Sequence, residues 1–132
     1  MNDEHFIKLA ASFAEEVEPV AAAKISALVV HRGEIISVGK NVAKSHPFQA
    51  RYSKNLQAIF WHAETNAVFS ALRAGTSDRV LKNATLYIAR VKKDHSYGLA
   101  KPCNGCRSCL TRFNIGRVVY TNESGFEELY QV

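Results

Sequence analysis

Two short runs in this 132-residue chain hold side chains able to act together: His62–Ala63–Glu64, and further on Pro102–Cys103–Asn104–Gly105–Cys106. One imidazole and two thiolates are three of the four ligands of a tetrahedral zinc. The fourth position stays open for water, which is what separates a catalytic zinc from a structural one. Glu64 is then the spare carboxylate that moves protons, taking one from the attacking water and delivering protons to a ring nitrogen and a departing amine. Attack of that water on an sp² carbon bearing an amino group releases ammonia. The chemistry these residues point to is hydrolytic deamination.

Such chemistry constrains the elements that carry it. In mid-helix, His62 and Glu64 would point about 200° apart. At a helix N-terminus both can reach a point just beyond the end, where the helix dipole favours a carboxylate. The same dipole favours thiolates at Cys103 and Cys106. Both runs must therefore open helices. A Cys-x-x-Cys alone is also compatible with thiol redox chemistry, and a lone histidine at a helix start is usually a cap or core residue; the joint pattern favours the catalytic zinc. A closed site with Cys109 as fourth ligand fails on a continuing helix, because Cys109 lies ~9 Å along the axis from Cys103. It fits a buried core thiol. His5, His31 and His95 have no motif around them, whereas His46, in a basic stretch before the first run, is a substrate-contact candidate.

The rest of the chain is expected to supply those helices. Phe6, Leu9, Ala10, Phe13 and Val17 fall at helical spacing, and Pro19 stops that helix. Ile25 to Val30 reads as a strand buried on both faces, Arg32-Gly33-Glu34 as a turn, and Ile35 to Val38 as the antiparallel return. From Gly39 to Asn55 the chain has no period and is basic (Lys40, Lys44, His46, Arg51, Lys54), which marks either a functional loop or a surface excursion. Phe60-Trp61 leads into a helix that Gly75 closes, and Ala84 to Val91 is the next strand. Residues 92–101 form a second polar loop. Pro102 suits the first turn of a helix running to about Asn114. Val118 to Tyr120 is a short strand, and Phe126, Leu129 and Tyr130 belong to a final element read as helical. After the hairpin, strand–helix–strand steps predict right-handed crossovers between parallel strands, hence an α/β protein with a mixed sheet and both motifs at the carboxyl edge.

Composition narrows the class. With 47% hydrophobic residues, the chain 1–132 is expected to form a single domain with its own core. No apolar run nears the roughly 18 residues that span a bilayer, and the start Met1-Asn2-Asp3-Glu4 lacks the pattern of a signal peptide, so we expect a cytoplasmic protein with no membrane partner. Three cysteines clustered within seven positions favour metal over a disulfide framework. The net charge of +5 is compatible with a solvated basic surface or with a phosphate-bearing partner.

From Ile25 to Tyr120 the sequence resembles the zinc-dependent cytidine and deoxycytidylate deaminase superfamily, whose signature is H-x-E followed by P-C-x-x-C. The resemblance rests on the Ile25–Val30 strand, Asn41 after the second strand, His62-Ala63-Glu64, Ala84-Thr85-Leu86-Tyr87 and Pro102-Cys103-Asn104-Gly105-Cys106. Ser45 to Tyr52 and Gly98 to Pro102 are similar to small, often phage-encoded, deoxycytidylate-deaminase-like members. It implies a three-layer α/β/α fold around a mixed central sheet and a Zn²⁺ held by His62, Cys103 and Cys106, with Glu64 as proton shuttle. It also implies sugar contact by Asn41, contact of the Ala63 backbone with the pyrimidine edge, and a homo-oligomer. Lys40, Lys44 and Arg51 are candidates for a 5′-phosphate on charge and position. Lys24 to Leu28 lacks the Val-Gly-Ala pattern of regulated deoxycytidylate enzymes, so nucleotide regulation is not carried over. The 90–101 segment is longer than in the tRNA adenosine branch. The expected activity is conversion of dCMP to dUMP. The alternatives are a deaminase of a nucleoside or other aminated base, and an editor of tRNA or single-stranded DNA using Phe48, Tyr52, Phe60 and Trp61 as stacking platforms.

Overall fold

An apolar run with no polar face needs cover on both sides, and Ala27 to Val30 receives it inside the sheet. The computed structural model describes residues 2–19, 23–44, 46–52 and 60–129 and places that run in strand β1 (Lys24–His31). In chain order the elements are α1 (Asp3–Glu15), β1, β2 (Glu34–Lys40), α2 (Pro47–Ala50), α3 (Ala63–Arg73), α4 (Asp78–Lys82), β3 (Thr85–Val91), β4 (Tyr97–Gly98), α5 (Asn104–Arg112), β5 (Arg117–Asn122) and β6 (Gly125–Leu129). The sheet order is β2-β1-β3-β5-β6, with β4 bonded to the end of β3. β1 is antiparallel to β2 and β3, and β3 is parallel to β5. β2 and β3 thus run the same way, and the segments bearing α3 and α5 each join strands of one direction, as expected.

Period-two alternation divides the core between the two faces of the sheet. Ala27, Val29, Leu86, Ile88 and Val118 share a cluster with Ala67, Val68 and Ala71 of α3 and Leu110 of α5. Leu28, Val30, Tyr87, Ala89 and Val119 share the other with Phe6, Ile7, Ala10 and Ala14 of α1. The result is the α/β/α arrangement with a mixed sheet. No described helix is long and apolar enough to cross a membrane.

Several expectations need correction. The final element is a strand: Asn122 Oδ1 accepts from Ser124 N at 2.9 Å, Gly125 turns the chain, and β6 pairs antiparallel with the open edge of β5. The ladder hydrogen bonds that this edge offers outweigh the helical preference of Glu127-Glu128-Leu129. Pro102 lies before α5 and not in its first turn, because Cys103 takes the N-cap place. The apolar face of α1 is Phe6, Ile7, Ala10 and Ala14, and Phe13 is exposed. Residues 39–55 are not wholly without structure: β2 extends to Lys40, Val42 bridges Trp61, and α2 begins at Pro47. Helix α4 and strand β4 were not anticipated. Lys54 and Tyr130 lie outside the described residues.

A polar cluster pins α1 to the far end of the sheet. Asp3 accepts from the Tyr87 hydroxyl at 2.6 Å and from Arg117 at 3.0 Å, and Arg117 Nε also donates to Glu128 at 2.6 Å. The Arg117 guanidinium holds the Asp3 carboxyl below its ordinary value, a direction that burial opposes. A depressed carboxylate contributes stability that is present above the unfolded value, near pH 4, and is lost as pH falls through the lower folded value. Asp3→Asn is expected to cost about 1–2 kcal/mol at neutral pH, with the difference from wild type shrinking below about pH 4. Urea unfolding at a series of pH values checks this, and a difference independent of pH would contradict it.

Candidate active site

Both motifs open helices, as the chemistry demands. His62 is the N-cap of α3 with extended backbone, and its side chain makes no capping bond, which leaves the imidazole free to point beyond the helix end. Cys103 is the N-cap of α5, its Sγ accepting from Cys106 N at 3.5 Å. The two helix starts meet. His62 Nδ1 lies 3.2 Å from Cys106 Sγ and 3.6 Å from Cys103 Sγ, and the three ligand atoms fall within 4.8 Å of one another. Around a tetrahedral zinc with ordinary bond lengths, ligand atoms sit about 3.5–3.8 Å apart. These residues therefore fit zinc. Cys109 is outside the cluster, fully buried in the core beside Leu110, with burial pushing its thiol up to about 12.

The cluster's protonation follows from its contacts. A hydrogen bond with the Cys106 thiol, aided by His62, lowers Cys103 to about 3 and makes it a thiolate. The same bond with Cys103, with burial and the nearby Glu64 carboxylate, holds Cys106 well above its usual value. His62 is raised chiefly by its bond to Cys103. Glu64 is buried in the first turn of α3, and burial is the main cause of its raised value. Replacing Cys106 with Ser removes one soft ligand from three. Zinc affinity is expected to fall at least about 100-fold, measured by competition with a chromogenic chelator, with far-UV circular dichroism unchanged. Retention of wild-type affinity would remove Cys106 from the site.

A hollow of about 290 Å³ opens beside these groups, lined in part by His62, Ala63, Glu64 and Cys103. Its other walls include Ile25, Asn41, Phe60, Arg90, Leu99 and Lys101. Asn41 is present, but its amide also ties β2 to β1: Oδ1 accepts from Ile25 N and Nδ2 donates to the Ala23 carbonyl, both at 2.9 Å. Lys40 and Lys44 border a separate hollow with Val17 and Glu18, and Arg51 is exposed at the end of α2. None of the three lines the hollow at Glu64. Nor does His46, whose Nδ1 accepts from Phe48 N at 3.0 Å while its ring stacks on Trp61 at 4.0 Å.

Gln49 was missed in the sequence. Its fully buried Oε1 accepts from His62 N at 3.1 Å and from the Thr65 hydroxyl, and so holds the start of α3. His46-Pro47, an N-cap followed by a proline at the first helical position, was the available signal for α2, although not for this contact. Arg90 and Lys101 were also missed. The signals were a cation near the end of an otherwise apolar strand, and another next to Pro102.

The chain's residues 1–122 match the family model of the cytidine and deoxycytidylate deaminase zinc-binding region. No curated protein matches. Among solved structures, the dCMP deaminase of cyanophage S-TIM5 superposes with a TM-score of 0.66 at 22% identity, over 92% of this chain and 83% of the phage chain. The phage enzyme is also known in complex with dCMP and dUMP. Cytidine deaminase from Burkholderia pseudomallei gives 0.67 at 23% identity, over 98% and 92% of the two chains. Guanine deaminase from Bacillus subtilis gives 0.61 at 24% identity, over 92% and 65%. Identities this low speak for the fold, whereas the family rests on a match spanning most of the sequence. On that match, and on a ligand cluster that fits the metal, this chain belongs to the zinc-binding cytidine and deoxycytidylate deaminase family.

Proposed function

We propose that this protein deaminates a cytosine nucleotide by hydrolysis, converting dCMP to dUMP with release of ammonia. The observation that carries the reading is Glu64, a carboxyl buried in the wall of the same hollow as His62 and Cys103. His62, Cys103 and Cys106 would hold a zinc, which when bound would bring the ionisation of its water toward neutral pH. Glu64 accepts the proton that the attacking water loses and passes it to the ring nitrogen. A second proton goes by the same carboxyl to the amine. One C–O bond forms, one C–N bond breaks, and a water is exchanged for ammonia. Burial raises Glu64 above the ordinary carboxylate value, which favours its uptake of a proton.

In this reading the Ala63 backbone meets the pyrimidine edge. Asn41 meets the sugar through the amide hydrogen and oxygen lone pair that Ala23 and Ile25 leave unused. The hollow's volume suits a small molecule. Of the four rings an editor would use for stacking, Phe48, Tyr52 and Trp61 are engaged in packing with Phe69, Phe113 and His46, and Phe60 alone lines the hollow, which supports a single free nucleotide over a strand. The protein acts as one domain, in a homo-oligomer.

The test is ammonia release by zinc-loaded protein from dCMP, CMP, deoxycytidine, cytidine, cytosine, adenosine and short single strands. Turnover of dCMP above all others is expected. Turnover of oligonucleotides alone would replace this reading with the editor.

A further inference from the structure

Besides Glu64, the hollow at the site holds a cation that pairs with no described acid. Arg90 is half-buried near the end of β3, and its side chain forms no hydrogen bond or ion pair with any described residue. A buried cation is ordinarily paired, because leaving water uncompensated is costly. Its placement is also specific. β4 pairs Gly98 with Arg90, and a Cβ at position 98 would lie 3.1 Å from Arg90 Cδ, 3.2 Å from Cγ and 3.4 Å from Nε. Glycine there lets the arginine stem lie flat across β4. Lys101 lines the same hollow. Lys101 forms no ion pair with a described acid, and Glu127 is bonded to Tyr120 and Asn122.

We propose that Arg90, supported across Gly98 and aided by Lys101, is the specificity-determining residue that reads the 5′-phosphate of a free nucleotide. The inference rests on the deaminase reading for its substrate, and it assigns the phosphate contact to residues other than Lys40, Lys44 and Arg51. A guanidinium matches phosphate oxygens through two parallel N–H bonds, which a lysine cannot reproduce. A phosphate monoester, doubly charged, suits two cations better than the singly charged diester of a strand, and a hollow of about 290 Å³ suits one nucleotide.

The test uses the zinc-loaded full chain and two readouts. The first is the ratio of kcat/KM for dCMP to that for deoxycytidine. It is expected to fall about 10–100-fold in Arg90→Ala, with partial recovery in Arg90→Lys and a smaller fall in Lys101→Ala. Gly98→Ala, which displaces the stem, lowers the same ratio. The second readout is calorimetric affinity for dUMP, which needs no turnover and falls by a similar factor in Arg90→Ala. An unchanged ratio together with unchanged dUMP affinity overturns the proposal. If wild type releases no ammonia yet binds dUMP through Arg90, the deaminase reading fails and the phosphate subsite stands. A single-stranded oligonucleotide that binds more tightly than dUMP, with the same dependence on Arg90, overturns the assignment to a free nucleotide. Should Arg90→Ala fail to fold, exposed Lys101 carries the test, and no change in its ratio counts against the pair.

Discussion

Zinc-loaded Glu64→Ala is expected to release ammonia from dCMP about 10³-fold more slowly than wild type, or slower still, while keeping its metal and its fold. The size follows from the residue's single task. In the proposed reaction every proton passes through this carboxyl, and no other described carboxylate lines the hollow. His62, Cys103 and Cys106 would hold the metal without it, so zinc content measured by atomic emission should match wild type. The fold should not suffer either. Glu64 is buried in the first turn of α3, where desolvation opposes its charge, so removing the carboxyl relieves a cost. Glu64→Gln keeps the shape and is expected to be equally inactive, with a melting temperature at or above wild type. Loss of zinc alongside activity would make Glu64 part of the metal's support. Retained activity would remove it from the chemistry altogether.

Gly39→Ala, a single methyl group added to β2, is expected to cost several kcal/mol of stability. A Cβ there would lie 2.3 Å from the Ala63 carbonyl oxygen, 2.3 Å from Ala67 N and 2.8 Å from Ala67 Cα. All three are backbone atoms of α3, so no side chain can rotate away and the helix itself must shift. That helix is held at this place by Ser37 Oγ donating to the Ala67 carbonyl at 2.7 Å and Asn66 Nδ2 donating to the Lys40 carbonyl at 3.1 Å. Overpacking against backbone costs about 3 kcal/mol, which lowers the melting temperature by roughly 10 °C in a chain of this size. His62 and Glu64 ride on the displaced end, so zinc affinity should fall as well, even in the fraction that folds. A variant with wild-type stability would mean that α3 and β2 can separate without loss.

The site was more legible than the path to it. His62, Cys103 and Cys106 could be read from residue type and spacing, because a metal demands particular ligand atoms and a helix start is marked locally. The strands of the sheet were legible wherever apolar residues ran unbroken, as from Ala27 to Val30, since such a run has no solvent-facing alternative. The final element was not. Phe126 to Leu129 carries a pattern that a helix or a strand could use, and the open edge of β5 made it β6. Nor was the use of Gln49, because a side chain that holds the start of α3 from thirteen residues upstream leaves no periodic trace.

The cations near the site divide along the same line. Charge alone singled out Lys40, Lys44 and Arg51, three cations near the motif in sequence. The hollow instead brings Arg90 and Lys101 to Glu64, one from the end of β3 and the other from the approach to α5. Residue type and local spacing determined by themselves which atoms can hold zinc and which carboxyl can move protons, because those requirements act within a single helix turn. Which cations and walls share the space with them was decided only by the sheet order, since strands distant in the chain become neighbours through ladder hydrogen bonds and shared burial, and these interactions are blind to sequence distance.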